Sequence, residues 1–250
     1  MLKRTFVHLP GVGLKTEVHL WRRGFATWED LLAADRLPGL STARLALFQA
    51  LLRDSLACLD QPDYFAARLP SAEHWRLFRH FRSRTAYLDI ETAGAGWPDL
   101  TVTVIGMYDG GVFRQFVLGQ NLRDFPAALS GVEVLVTFNG SQFDLPVLRA
   151  AFPGLRLPPV HLDLRFILAR LGFRGGLKRI ETRFGIQRSP EVAGLNGYDA
   201  VLLWERSQRG DLGARQLLLH YNRDDVLNLE TLMERAFELG KKQLLATVAC

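Results

Sequence analysis

The chain has 250 residues, 48% hydrophobic, with 31 Lys and Arg against 26 Asp and Glu, hence a net charge of +5 and a pI near 9.5. That supports one substantial core plus a small satellite, and the basic balance suits a polyanionic partner. No apolar run nears 18 residues, no apolar segment follows Met1, and Cys58 and Cys250 make neither a disulfide framework nor a zinc motif; a cytoplasmic protein with reduced thiols, no membrane span and no secretory leader is expected.

In chain order, the first signal is His8-Leu9-Pro10-Gly11-Val12-Gly13, followed by a helical run from Leu14 to Trp21 and by Thr27-Trp28-Glu29-Asp30-Leu31-Leu32. Gly11 and Gly13 permit a tight turn whose backbone N–H groups, at a helix start, can hold a phosphate, and Lys15 adds a charge. Thr27 reads as an N-cap. The pattern resembles a helix-hairpin-helix element, which implies a nucleic-acid contact through Gly11, Gly13 and Lys15, although such hairpins also serve as plain packing units. Pro38-Gly39 marks its end, so the element spans residues 1–37.

Residues 38–83 read as a helical linker region. Leu45, Phe48, Leu52, Leu56 and Leu59 recur at helical spacing over Ser41–Leu59, and Trp75, Phe78 and Phe81 suggest a short helix. Five strands follow, at Thr85–Ile90, Thr101–Tyr108, Val112–Leu118, Val132–Phe138 and Val160–Leu164. Asp109-Gly110-Gly111 turns the second strand into the third as an antiparallel hairpin. Helical patterns alternate with the later strands, which implies parallel pairing. The expectation is a mixed five-stranded α/β sheet flanked by helices over 84–240, behind a small all-α N-terminal region.

Four acids stand out on this frame. Asp89 and Glu91, two apart in a strand, project from one face. Side by side in a buried sheet they would lose hydration and repel each other unless a cation lay between them. Their oxygen ligands suit Mg²⁺ or Mn²⁺. Asp144 follows Asn139-Gly140-Ser141 and opens an amphipathic helix; alone it could be only a first-turn carboxylate favoured by the helix dipole. Asp225 reads as near the start of a helix running through Phe237, with Asp224 the more ordinary solvated acid. Asp163 ends another apolar strand and is expected to play a supporting part.

An Asp-x-Glu strand, an Asn-x3-Phe-Asp helix start and a Tyr-x3-Asp helix, in that order, resemble the DEDD exonucleases of the ribonuclease-H-like superfamily. The stretch Gly176–Glu181 and Tyr221-Asn222-Arg223 bring the chain closest to predicted exonucleases of the YprB type. The resemblance implies Asp89, Glu91, Asp144 and Asp225 as ligands of two Mg²⁺ or Mn²⁺ ions, with Asp89 bridging them. It also implies a residue that orients the attacking water. Tyr221, four before Asp225, shares its helical face; His220 could serve only from a loop ahead of the helix, with Asn222 interrupting the run.

Positive charge concentrates at residues 66–84, with Arg68, Arg76, Arg79, Arg82 and Arg84. A second concentration at 165–188 includes Arg174, Lys178, Arg179 and Arg188, and contains Phe173, which could stack on a base. The function expected is a metal-dependent 3′→5′ exonuclease acting on single-stranded or frayed DNA or RNA. A nucleic-acid-binding scaffold and a ribonuclease-H-like endonuclease are the alternatives. The sequence names no protein partner.

Overall fold

The structure is a computed structural model that describes residues 1–94, 96 and 99–249; Cys250 lies outside them. The chain divides into two compact units, Met1–Arg82 with Phe237–Cys250, and Ser83–Ala236. Among the described residues no helix is long and apolar enough to cross a membrane.

The first unit is helical. A 3₁₀ turn at Leu2–Arg4 precedes α1 (Leu14–Arg22), α2 (Trp28–Leu32), α3 (Thr42–Ala57) and α4 (Pro62–Ala66), with a 3₁₀ segment at Ser71–Leu77 in place of the short helix expected around Trp75. Thr27 caps α2 in a capping box with Asp30. Phe6, Trp28, Leu31, Leu52, Phe65 and Phe78 are fully buried and form its core. Arg76 is not part of a basic surface. It is buried against Glu17 at 2.7 Å, and Glu17 also accepts from the Phe6 backbone at 2.6 Å. A guanidinium taken out of water needs such a partner, so this arginine holds the fold rather than a ligand.

The second unit carries the sheet, in the order β3-β2-β1-β4-β5: β1 (Thr85–Ala93), β2 (Thr101–Tyr108), β3 (Phe113–Val117), β4 (Val134–Thr137) and β5 (Val160–Asp163). The first three strands are antiparallel; β4 and β5 add in parallel. Asp109 closes the β2–β3 turn by accepting from the Gly111 and Val112 backbone at 3.0 and 2.8 Å. On one face Ala86, Leu88 and Ile90 pack on α5 (Phe125–Ala128) and α6 (Asp144–Ala151). α7 (Leu164–Arg170) and α8 (Leu177–Arg183) follow β5. Val104 and Val117 pack on the opposite face against α9 (Gly197–Gln208) and α10 (Leu212–Ala249).

α10 departs from the expected short terminal helix. It is continuous from Leu212, so Asp225 lies in its middle rather than near its start. Asn222 does not interrupt it. Its amide leaves the helix surface for β1, which satisfies the side chain without breaking the backbone ladder. Gly106 makes that approach feasible: paired with Asp89 across the strands, it has no side chain where a Cβ would lie 2.3 Å from Asn222 Oδ1.

Candidate metal centre

Alternation along β1 sends Leu88 and Ile90 into the α5–α6 core, so Asp89 and Glu91 face α10. A register shift between Glu91 and Thr92 marks an irregularity in the β1–β2 ladder at that point, a common device for re-aiming side chains beside a site. Asp225 points back from α10. One carboxylate oxygen from each of Asp89, Glu91 and Asp225 lies within 4.8 Å of the others. Asn222 Nδ2 donates to Asp89 Oδ2 at 3.2 Å, and Glu91 Oε1 is buried without a hydrogen-bond partner.

Asp144 is not one of the three converging acids; it comes from another element, near enough for its charge to act on Asp89 and Glu91. The β4–α6 turn is organised by Asp163, which accepts from the Asn139 backbone at 2.8 Å and from the Ser141 backbone at 3.0 Å. Asn139 takes a left-handed conformation there, with φ of 68°. The turn delivers Asp144, buried, to the start of α6, where its carboxylate accepts from the Ile90 backbone of β1. Asp163 thus supports the turn, as expected.

The electrostatics follow from the crowding. Burial, then the charges of Asp225, Glu91 and Asp144, push Asp89 well above the usual carboxylate range; burial and Asp225 do the same to Glu91. Asp144 is pushed up to about 7, chiefly by burial. Asp225 reaches only about 6, because the Arg188 guanidinium beside it opposes the burial. Four carboxylates, buried at Glu91, Asp144 and Asp225 and half-buried at Asp89, with an orphan Glu91 oxygen and only oxygen donors, fit a hard divalent cation such as Mg²⁺ or Mn²⁺, which binds through carboxylates and substrate oxygens.

Tyr221 lies one turn before Asp225 on α10 and is buried. Burial and the charges of Asp225, Glu91 and Asp89 raise its phenol, so the hydroxyl keeps its proton at neutral pH. His220 is part of the same continuous helix. It points away to a half-exposed position, 3.8 Å from Asp224. Asp224 is not solvated; it accepts from the Ser189 backbone at 2.8 Å.

The second basic segment sorts into two groups. Arg174 and Arg179 are exposed. Lys178 instead tucks its ammonium 4.7 Å from the Tyr221 ring centre, where burial lowers its pKa. Phe173 packs on Phe184 at 4.5 Å with Arg183 over it, so its ring is engaged within the fold. Arg188 leaves the surface altogether for Glu181 and Asp225. Its place in a basic run of the sequence gave no sign of this, nor did the sequence around Gly106. In the first unit, Gly11 has φ of 70°, Gly13 caps α1 with no side chain over the helix N–H groups, and Lys15 is exposed.

The mixed sheet with three antiparallel strands and two parallel additions, flanked by helices, is a ribonuclease-H-like α/β fold. The chain belongs to the RNase_H superfamily, whose family model matches residues 86–237, more than half its length. Among solved structures it is similar to the family B DNA polymerase of the hyperthermophilic archaeon Pyrobaculum calidifontis, at 19% identity and a TM-score of 0.49. That match covers 60% of this chain and 24% of the polymerase, so the chain spans about a quarter of that protein. It is also similar to the Aedes aegypti Nibbler EXO domain, at 13% identity and a TM-score of 0.37, over 70% of this chain and 92% of that domain. Curated proteins offer no match.

Proposed function

We propose that the protein is a metal-dependent nuclease, a 3′→5′ exonuclease hydrolysing single-stranded or frayed nucleic acid. The observation that carries this is the meeting of Asp89, Glu91 and Asp225 within 4.8 Å. Asp144 is bonded to the same strand, and one Glu91 oxygen is orphaned. A scaffold that only bound nucleic acid would have no use for four crowded carboxylates, three of them buried, that destabilise one another.

In this reading Asp89, Glu91, Asp144 and Asp225 hold two divalent cations, Mg²⁺ or Mn²⁺, which when bound supply the positive charge for the attacking water and the leaving 3′-oxygen. Tyr221, its hydroxyl protonated and beside Asp225, donates a hydrogen bond that keeps the water in line. Lys178, packed on the Tyr221 ring, offers its ammonium to a phosphate. Exposed Arg174 and Arg179 draw the strand in, and the Gly11–Gly13 turn with Lys15 adds a phosphate contact.

The test is cleavage of end-labelled single-stranded, duplex and RNA oligonucleotides in Mg²⁺ or Mn²⁺. Stepwise loss of 3′ nucleotides is expected from the unaltered protein and none from Asp89→Ala or Asp144→Ala. Cleavage retained in both variants would overturn the proposal, and internal cuts would favour the endonuclease reading.

A further inference from the structure

The segment after α8 places a cation where the sequence suggested a surface patch. Ser189 donates its backbone N–H to Asp224 Oδ2 at 2.8 Å, which fixes the chain against α10 and limits how far the preceding side chain can swing. The Arg188 guanidinium then lies between two carboxylates. Its Nε and Nη2 fork onto Glu181 Oε2 and Oε1 at 2.6 and 2.9 Å. The same Nη2 also touches Asp225 Oδ1, while Nη1 is buried without a hydrogen-bond partner. Arg188, Glu181 and Asp225 are 5%, 2% and 8% exposed at their side chains, so little water screens the set.

The two carboxylates hold Arg188 unequally. Glu181 receives a bidentate fork, the strongest geometry for this pair, and is itself fixed by Asn228 Nδ2 at 2.9 Å. Asp225 receives a share of one nitrogen. Yet Asp225 is also one of the three acids whose oxygens converge. A divalent cation entering there draws on a carboxylate that already holds Nη2, and it would meet a fixed positive charge beside it.

We propose that Arg188 is the resident cation of the acidic cluster, that an arriving divalent cation takes Asp225 from it, and that Glu181 keeps the guanidinium when it does. This rests on the metal-site reading above. Arg188 is a positioning residue in this scheme. It makes the metal-free cluster tolerable, and it weakens metal binding below what the carboxylates alone would give. Glu181 and Asn228 determine how much, because they hold the charge that Asp225 releases.

The experiment measures Mn²⁺ affinity of the full chain by calorimetry, without substrate, alongside melting in chelator and in Mn²⁺. Glu181→Gln leaves Asp225 as the carboxylate facing Arg188 and is expected to weaken Mn²⁺ binding about tenfold. The double variant Glu181→Gln with Arg188→Gln replaces the pair by neutral groups, so no buried charge from it is orphaned. It is expected to bind Mn²⁺ about tenfold more tightly than the unaltered protein, the scale of one charge-assisted hydrogen bond no longer surrendered. The rise in Tm on adding Mn²⁺ should shrink in the first variant and grow in the second. A purely structural role would weaken binding in both. Shifts of the same sign, or an unchanged double variant, would overturn the assignment while leaving the metal site standing; an unaltered protein that binds no Mn²⁺ would overturn both.

Discussion

Replacing Asp144 by Asn should stabilise the metal-free protein while abolishing hydrolysis, and the size of the effect can be bounded. An Asp has an ordinary pKa of 3.8, and burial lifts that of Asp144 to about 7. Between those values the native state binds more protons than the unfolded chain, so stability falls as pH rises through that window. The gap sets an upper limit of about 4 kcal/mol on the cost of ionising Asp144 in the fold. Asparagine keeps an acceptor for the Ile90 backbone but retains the desolvation of a polar group, so roughly 1–2 kcal/mol should remain as gain. For a chain of this size that is a rise in Tm of about 2–8 °C at pH 8 in chelator. At pH 5 the native carboxyl of the parent is protonated and about 2.7 kcal/mol of the cost has gone, so the difference should vanish or reverse sign. Adding Mn²⁺ should reverse the order, since the variant has lost a ligand. Differential scanning fluorimetry across pH 5–8, with and without metal, reads all of this. A variant less stable than its parent at pH 8 in chelator, or a difference that ignores pH, would refute the crowding argument.

Other outcomes follow from single contacts. Gly106→Ala would set a methyl 2.3 Å from Asn222 Oδ1 and 2.8 Å from Val226 Cγ2. It should cost about 1–3 kcal/mol by displacing α10, read as a lower urea midpoint; an unchanged midpoint would refute the close approach. Tyr221→Phe should lower the catalytic rate about 10²–10⁴-fold with metal affinity unchanged. His220→Ala should have a mild effect, and the reverse pattern of rates would transfer the role to the histidine. Lys15→Glu should weaken binding of a single-stranded oligonucleotide and reduce the slope of log K against log salt by about one. Filter binding at several salt concentrations checks it, and an unchanged slope would leave the hairpin as packing. Deleting residues 1–37 is a poorer probe, because it removes the fully buried Phe6, Trp28 and Leu31 from the first unit.

Local periodicity determined what it could reach. Alternation in Ala86–Thr92 set which face Asp89 and Glu91 share, because a strand repeats every two residues whatever packs on it. Asp109-Gly110-Gly111 specified the β2–β3 hairpin, because its hydrogen bonds close within the turn. Thr27 specified the start of α2 for the same reason, its hydroxyl accepting from the Asp30 backbone within the first turn. Contacts between distant segments were another matter. Arg76 and Arg188 belonged by sequence to basic runs, yet each is buried on a glutamate, Glu17 or Glu181, because a guanidinium beside a helix face pairs with whatever carboxylate the packing presents. Asn222 looked like a helix breaker, but the helix persists because β1 lies within reach of its amide. That reach exists only because Gly106 leaves room on the neighbouring strand, and a missing side chain has no periodicity to betray what it admits. Spacing along the chain thus placed the acids on their elements, while the approach of α10 to the sheet decided that they converge and which cation stands among them.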